Sequence, residues 1–221
     1  MWMKIGIIGA GFVGQAVARL AVGNGHEVMI SNSRGPETLF SMRSALGCEI
    51  GTAKQAAEFG DVVIVAVPLK AYRAVPVVPL VGKVVIDTNN YYPERDGAIA
   101  ELDRQETTTS EMLAQHLPQS RIVKALNAIV MKDLATDGRS SGSPNRRALP
   151  IAGDETEAKT LVAHLVDEFG FDVVDVGALR EGWRFERARP AYCVPLDKAA
   201  LLQTLNATTR DEMVTEGAWR K

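Results

Sequence analysis

The sequence predicts an α/β fold, in which a doubly wound parallel sheet carries a C-terminal extension and a helical cap. Short apolar runs bounded by turn residues alternate along the chain with stretches of helical periodicity. Two of these runs, VVIVAV at 62–67 and VVID at 84–87, are continuously apolar. Continuous runs are typical of strands that helices cover on both faces of a parallel sheet.

Seven strands are predicted, at residues 4–8, 27–30, 61–67, 83–87, 121–125, 149–152 and 172–176. Between the first two, one apolar helix face is formed by Ala16, Val17, Leu20 and Ala21. The first 30 or so residues therefore form a βαβ unit. Because the apolar runs continue through the chain, we expect one globular unit, with a first part at 1–125 and a second part at 126–221 that extends the sheet and adds the terminal helix.

Turn and capping residues place the other helices. Pro36 and Gly47 bound a predicted helix at 36–47, and a short helix is predicted at 52–59. Capping-box spacing predicts helices that begin near Thr108 and Asp154, and a last helix is predicted at 196–217. The Gly/Ser-rich segment 136–147 contains three arginines and is either a surface loop or a lid.

Composition excludes several classes of protein. The 221 residues are 46% hydrophobic and 24% charged, as in an ordinary globular chain. The net charge is −2 and the basic residues are scattered, so neither a nucleic acid nor a membrane is an expected partner. The two cysteines and three histidines show no metal-binding spacing, and no metal site is predicted. We expect a cytoplasmic protein with no membrane span or signal segment.

A glycine-rich turn follows the first predicted strand. Gly9, Gly11 and Gly14 form a GxGxxG motif that includes Phe12 and Val13 and opens a helix. In Rossmann-type folds the first glycine permits a tight turn, the second lets a pyrophosphate approach the backbone, and the third packs the helix closely. The free N–H groups of the helix N-terminus favour an anion. The motif therefore predicts a dinucleotide site.

The end of the second strand indicates which dinucleotide binds. NAD sites usually place an Asp or Glu there for the ribose hydroxyls, whereas this chain has Ser31, Asn32, Ser33 and Arg34. No carboxylate would repel a 2′-phosphate, and arginine suits bidentate phosphate contact. We therefore predict NADP rather than NAD, and residues 1–125 as the NADP-binding part. The alternative is that Asn32 and Ser33 only turn the chain and that Arg34 is solvated.

Three further strand ends should face the same crevice, since doubly wound sheets bind ligands at the carboxyl ends of their strands. Val67 and Pro68 are predicted beside the nicotinamide ribose, although Pro68 would equally serve as a strand stop. Asn89 follows the next strand and offers an amide to the nicotinamide carboxamide. Lys124 and Asn127 follow the strand after that. No side-chain acid–base pair is evident, and catalytic residues stay unassigned.

Five further segments are informative together: MKIGIIGAGFVG, GHEVMISNSRGPETL, VVIVAVP, KALN and VDVGALREGWRFE. They resemble the coenzyme F-420-dependent NADP oxidoreductase family. The resemblance spans almost the whole chain, and SNSRGPETL is its most specific part. In that family the Ser-Asn-Ser-Arg segment holds the NADP 2′-phosphate, which implies the same role for residues 31–34. Two positions depart from the family pattern. Phe12 stands where members of the family often have Asn, and Ala128 stands where they often have a polar residue.

The resemblance implies hydride transfer between NADPH and a small-molecule acceptor, either coenzyme F-420, which is a deazaflavin, or a flavin. The predicted acceptor-binding residues are Lys124, Leu126, Asn127 and Ala128, and a homodimer is expected. The alternatives are an enzyme like 3-hydroxyacid dehydrogenase or pyrroline-carboxylate reductase, and a non-catalytic NADP-binding sensor. The first would usually add a helical domain of about 100 residues, for which this chain length leaves little room.

Overall fold

The computed structural model describes residues 2–215. Its eight strands form one sheet in the order β3-β2-β1-β4-β5-β6-β7-β8. The strands are β1 (Lys4–Ile8), β2 (Glu27–Ser31), β3 (Glu49–Gly51), β4 (Val62–Val65), β5 (Val84–Asp87), β6 (Arg121–Lys124), β7 (Ala148–Gly153) and β8 (Asp172–Asp175). The predicted doubly wound α/β fold is confirmed. β3 was not predicted, because three residues at a sheet edge carry no periodic signal.

The direction of the strands changes once. β1 to β6 pair in parallel, β6 and β7 pair antiparallel, and β7 and β8 are parallel to each other. Lys124, the last residue of β6, pairs with Ala152 near the end of β7. Most of β7, together with β8, therefore extends past the carboxyl edge of the parallel strands. This extension brings the C-terminal part of the chain to the edge at which such sheets bind ligands.

Nine α-helices lie within the described residues. They are α1 (Phe12–Gly23), α2 (Phe40–Leu46), α3 (Ala53–Phe59), α4 (Pro93–Asp96), α5 (Ala100–Asp103), α6 (Thr109–His116), α7 (Met131–Thr136), α8 (Thr156–Glu168) and α9 (Lys198–Ala207). Apolar clusters cover both faces of the sheet: α1 and α8 pack on one face, and α3 and α6 on the other. All residues of β4 and β5 are buried, as their continuous apolar runs predict. No helix among residues 2–215 is long and apolar enough to cross a membrane.

Some helix predictions are corrected. The segment 36–47 begins as a 3-10 helix (Pro36–Leu39) before α2. Thr108 forms its predicted capping box, but Asp154 does not cap α8, because its carboxylate accepts the Leu179 N–H instead. The last helix begins at Lys198 and ends at Ala207, ten residues before the predicted end. Gly217, the predicted end, lies outside the described residues.

The arginine-containing segment 136–147 is held by internal ion pairs. Arg146 contacts Asp167 at 2.5 Å and Asp172 at 2.7 Å, and Arg147 contacts Asp133 and Asp137. Both arginines are buried. Because these guanidiniums are committed to carboxylates of the same chain, the geometry favours the loop interpretation over a lid that closes on an anion.

Candidate functional site: a dinucleotide groove at the carboxyl edge of the sheet

The glycine-rich turn depends on the absence of side chains. Gly9 has a φ of +118°, and a Cβ at this position would overlap the carbonyl of Ala66. A Cβ at Gly14 would overlap the carbonyl of Gly9 in the same way. The Gly9 N–H also donates to the Ser31 carbonyl at 2.9 Å. These contacts bring the turn, α1 and the end of β2 together, and no larger residue would allow this.

Gly11 has a different environment. It is the N-cap residue of α1, and a Cβ added there would meet no atom within 4 Å. No side chain caps the helix, and no acidic residue lies in its first turn. The first N–H groups of α1 are therefore free to bind an anion, with a partial charge of about +0.5 at the helix end. Phe12 begins the helix and is 75% exposed, while Val13 is half-buried.

The loop after β2 differs from its prediction at Ser31. This serine is fully buried, and its hydroxyl donates to the Ile7 carbonyl within the sheet. Its predicted contact with a 2′-phosphate is therefore corrected, because the hydroxyl is directed into the sheet. Asn32 organises the loop: its Oδ1 accepts the Arg34 N–H at 3.0 Å, and its Nδ2 donates to the Thr38 hydroxyl at 2.8 Å. The Thr38 hydroxyl donates in turn to the Gly35 carbonyl.

A groove of about 360 Å³ joins the turn to this loop. It contains many of the predicted cofactor-binding residues and several small apolar ones. Its lining is formed by Ile8, Gly9, Ala10, Gly11, Asn32, Ser33, Arg34, Ala53, Ala66, Val67, Pro68, Ala71, Ala74 and Val75. The groove volume lies within the usual range for ligand sites, about 300–1,000 Å³. Contact between these residues and a ligand stays a prediction.

The charge of the groove suits NADP. Arg34 is the one charged residue among those that line it, and it is exposed. Within residues 2–215, no carboxylate forms an ion pair with its guanidinium. A 2′-phosphate would therefore meet a free cation at the end of β2. The uncapped N-terminus of α1 lies at the other end of the same groove and suits the pyrophosphate. These residues fit NADP as a ligand.

The asparagines after β5 and β6 are more enclosed than predicted. Asn89 and Asn127 are 2% and 3% exposed, and neither lines the groove. The Asn127 Nδ2 donates to the Phe185 carbonyl and to Asn90 Oδ1, whereas both side-chain polar atoms of Asn89 lack a partner in the described part of the chain. An unsatisfied buried amide costs about 1–3 kcal/mol. The predicted contact between Asn89 and the nicotinamide carboxamide stays a prediction.

Lys124 is not at the surface of the crevice. Its ammonium is fully buried and donates to the Asn89 carbonyl at 3.2 Å, to the Thr109 hydroxyl at 2.7 Å and to the Ser110 hydroxyl at 3.2 Å. The predicted role as an acceptor-binding residue is corrected, because all three ammonium protons have internal partners. Lys124 instead fixes the backbone of Asn89.

Two carboxylates balance the Lys124 charge. Asp87 lies 3.9 Å and Glu186 lies 3.5 Å from its Nζ. Burial raises the pKa of Asp87, while the Lys124 charge and a 2.5 Å hydrogen bond from Ser110 act in the opposite direction. Because Glu186 belongs to the C-terminal part of the chain, this buried network ties that part to the ends of β5 and β6.

The other predicted acceptor-binding residues are also buried. Leu126 and Ala128 are 2% and 3% exposed, and Leu126 has a φ of +60°. The Ala128 carbonyl accepts the Cys193 N–H at 3.2 Å. A segment from the C-terminal part therefore covers the loop that follows β6. The prediction that these side chains are open to an acceptor is corrected, because it treated the loop after β6 as uncovered.

Sequence reasoning missed several residues of the site. Thr38, six residues after Asn32, completes the loop network, and no local spacing indicates this contact. Ala53, Ala71 and Ala74 line the groove but resemble ordinary helix residues in the sequence. Glu186 is charged and lies far along the chain from Lys124, so only the tertiary structure shows that they meet.

The part of the chain that forms the groove is similar to known proteins. Residues 4–91, which contain the glycine-rich turn and the Arg34 loop, match the family model "NADP oxidoreductase coenzyme F420-dependent". The resemblance predicted from the sequence is confirmed over these residues. A metalloreductase of Rattus norvegicus, STEAP3, is 29% identical over 198 residues, which are 87% of this chain and 38% of that protein. The chain thus matches little more than a third of the length of this relative.

Solved structures support the same relationship. A hypothetical protein from Sinorhizobium meliloti superposes with a TM-score of 0.76 at 29% identity, covering 90% of this chain and 96% of that one. A candidate F420-dependent NADP reductase from Arthrobacter sp. FB24 superposes with a TM-score of 0.68 at 26% identity, covering 80% of this chain and 85% of that one. The chain therefore shares its fold with both structures over at least 80% of its length, and its likeness to the NADP oxidoreductase family model covers residues 4–91.

Proposed function

We propose that the protein transfers a hydride between NADPH and a tricyclic acceptor, either a deazaflavin such as coenzyme F-420 or a flavin. The observation that supports this most strongly is the groove, in which an uncapped helix N-terminus and an unpaired Arg34 lie together with no lining carboxylate. The family match over residues 4–91 names the same pair of cofactors.

In this proposal the chain binds and aligns its ligands. The first turn of α1 holds the pyrophosphate, and Gly11 lets it approach the backbone. Arg34 holds the 2′-phosphate, and the Asn32–Thr38 hydrogen bonds keep its loop in place. When bound, NADPH supplies the hydride.

The acceptor class is supported by what surrounds Lys124. A hydroxy acid or an imino acid needs a cation for its carboxylate and a group that transfers a proton. Lys124 cannot transfer a proton to a ligand, because Asn89, Thr109 and Ser110 accept all three of its ammonium protons. Lys70, which precedes the groove residue Ala71, is exposed and is the other candidate for proton transfer. A flavin or deazaflavin needs chiefly correct stacking beside the nicotinamide, since the two rings carry the chemistry.

An acceptor panel tests the proposal. Purified protein is assayed with NADPH and with NADH against a deazaflavin, FMN, FAD, riboflavin, a quinone and a ferric chelate, the last because one relative is named a metalloreductase. We expect turnover with NADPH and a flavin or deazaflavin. Efficient turnover of a 3-hydroxy acid or pyrroline carboxylate with inert flavins would contradict the acceptor class. Tight NADPH binding without any turnover would indicate a sensor.

A further inference from the structure

A second cavity shares Glu186 with the Lys124 network. It has a volume of about 260 Å³ and is lined by aromatic and cationic side chains, among them Tyr91, Trp183, Arg187, Arg189 and Arg210. We call it the arginine pocket. Tyr91 follows β5 two residues after Asn89, so one wall of the pocket is formed by the same loop.

Two arginines of this pocket have no carboxylate partner among residues 2–215. Arg189 stacks over the Trp183 ring at 5.3 Å, and its Nη1 donates to the carbonyls of Arg210 and Glu212 at 2.7 and 2.8 Å. Arg210 stacks over the same ring at 4.9 Å and donates to the Gln105 carbonyl at 3.1 Å. Carbonyl oxygens hold a guanidinium in place but do not neutralise its charge.

The acidic residues of the pocket are engaged elsewhere. Asp103 accepts the Tyr91 hydroxyl at 2.9 Å. Glu186 accepts both the N–H and the hydroxyl of Thr109 and lies 3.5 Å from Lys124. Burial lowers the pKa of Arg189, the nearby Arg210 charge acts in the same direction, and carboxylates including Glu186 oppose both effects. An anion bound between Arg189 and Arg210 would therefore offset a desolvated positive charge.

The size and position of the pocket indicate what it holds. A volume of 260 Å³ is below the usual range of about 300–1,000 Å³ for a whole small-molecule site. It suits a phosphate or carboxylate group rather than a tricyclic ring. Glu186 lines the pocket and contacts the same ammonium that binds the Asn89 carbonyl, so the Lys124 side chain links the pocket to the loop after β5.

We propose that the arginine pocket binds the anionic tail of the hydride acceptor, so that the acceptor is a ring compound with a phosphate or carboxylate tail rather than a neutral ring. This inference rests on the proposed function and narrows its substrate class. Arg189 and Arg210 hold the anion, and Trp183 keeps both guanidiniums oriented. FMN and riboflavin test it directly, since they share one ring system and differ by a phosphate.

Two measurements on the full-length protein decide the matter. The first is the kcat/KM with NADPH for FMN and for riboflavin, and the second is calorimetric binding of each to the NADP-saturated protein. We expect FMN to exceed riboflavin by at least about tenfold in both, as expected for a charge-assisted hydrogen bond. Arg210→Gln should reduce that ratio several-fold through FMN alone. Arg43→Gln, an exposed arginine on α2 that pairs with Glu49, is the matched control.

The outcomes separate this inference from the proposed function. Equal kcat/KM and equal affinity for FMN and riboflavin would overturn the tail site while leaving flavin reduction intact. Equal losses for both compounds in Arg210→Gln would also overturn it, since a tail contact cannot affect riboflavin. If no acceptor turns over, the proposed function fails, and the calorimetric comparison still decides whether the pocket prefers the phosphate.

Discussion

Replacing Arg34 tests the cofactor assignment. Arg34→Ala removes the one charged side chain that lines the dinucleotide groove and leaves the Asn32 hydrogen bond to its backbone N–H in place. The loop should therefore keep its conformation while the 2′-phosphate loses its cation. A hydrogen bond to a charged group contributes about 1.5–3 kcal/mol, which corresponds to about tenfold to a hundredfold in affinity.

The exposure of Arg34 favours the lower end of that range. Solvent screens the pair, so we expect about a tenfold loss of NADPH affinity at physiological salt and a smaller loss at high salt. NADH has no phosphate at this position and should bind equally well to both proteins. Ser31→Asp would bury a carboxylate against the Ile7 carbonyl, so it tests folding rather than selectivity.

Fluorescence titration of NADPH and NADH against wild type and Arg34→Ala gives the four dissociation constants required. Arg43→Ala, another exposed arginine outside the groove, is the control and should change none of them. Equal losses for both cofactors in Arg34→Ala would refute the reasoning, because they would show that the residue supports the loop and does not recognise the phosphate.

Three other expectations follow from the same contacts. Gly11→Ala should weaken the binding of NADPH and of NADH without changing the thermal unfolding midpoint, because a Cβ at Gly11 meets no protein atom. Gly14→Ala should also lower the midpoint, because its Cβ would meet protein atoms. Calorimetry with cofactor titration checks both variants, and unaltered binding in Gly11→Ala would contradict the pyrophosphate assignment. Lys124→Met should cost about 3–5 kcal/mol in urea unfolding, since it leaves the fully buried Asp87 carboxylate without its cation. A loss under about 1 kcal/mol would show that the network is not structural. Burial raises the pKa of the Cys48 thiol and raises that of Cys193 to about 12, so both thiols are protonated at pH 8. Because the thiolate is the reactive form, mass spectrometry should find iodoacetamide on neither cysteine until the protein unfolds. Rapid labelling of the native protein would contradict this.

The sequence predicted the central sheet well, because strands such as β4 and β5 are continuous apolar runs and their burial depends on that pattern alone. The glycine-rich turn was also readable, since its three glycines are spaced for one local geometry. The Lys124 network was not readable. It joins residues far apart in the chain, and the lysine appeared to be a ligand-facing cation because nothing local indicates that Glu186 and Ser110 enclose it.

Near the end of β2, the position of one residue could be predicted from the sequence and the side-chain direction of another could not. Arg34 could be assigned from its position after the strand, which fixes the edge of the sheet at which it lies. The direction of the Ser31 side chain depends on the pleat at the last residue of the strand, and a shift of one residue reverses it. Homodimer formation depends on surfaces that no local pattern identifies, and we propose it as a state to be measured by light scattering.

The most direct test of the account is isotope transfer. NADPH deuterated at the reactive face of C4 is incubated anaerobically with the protein and a deazaflavin, and the reduced product is analysed by mass spectrometry. A carbon-bound deuterium does not exchange with water, so direct hydride transfer predicts one deuterium per reduced acceptor. Two results would contradict the proposed reaction. One is a reduced acceptor that contains no deuterium when the NADPH is deuterated at the reactive face of C4, and the other is no reduction of any deazaflavin or flavin by NADPH.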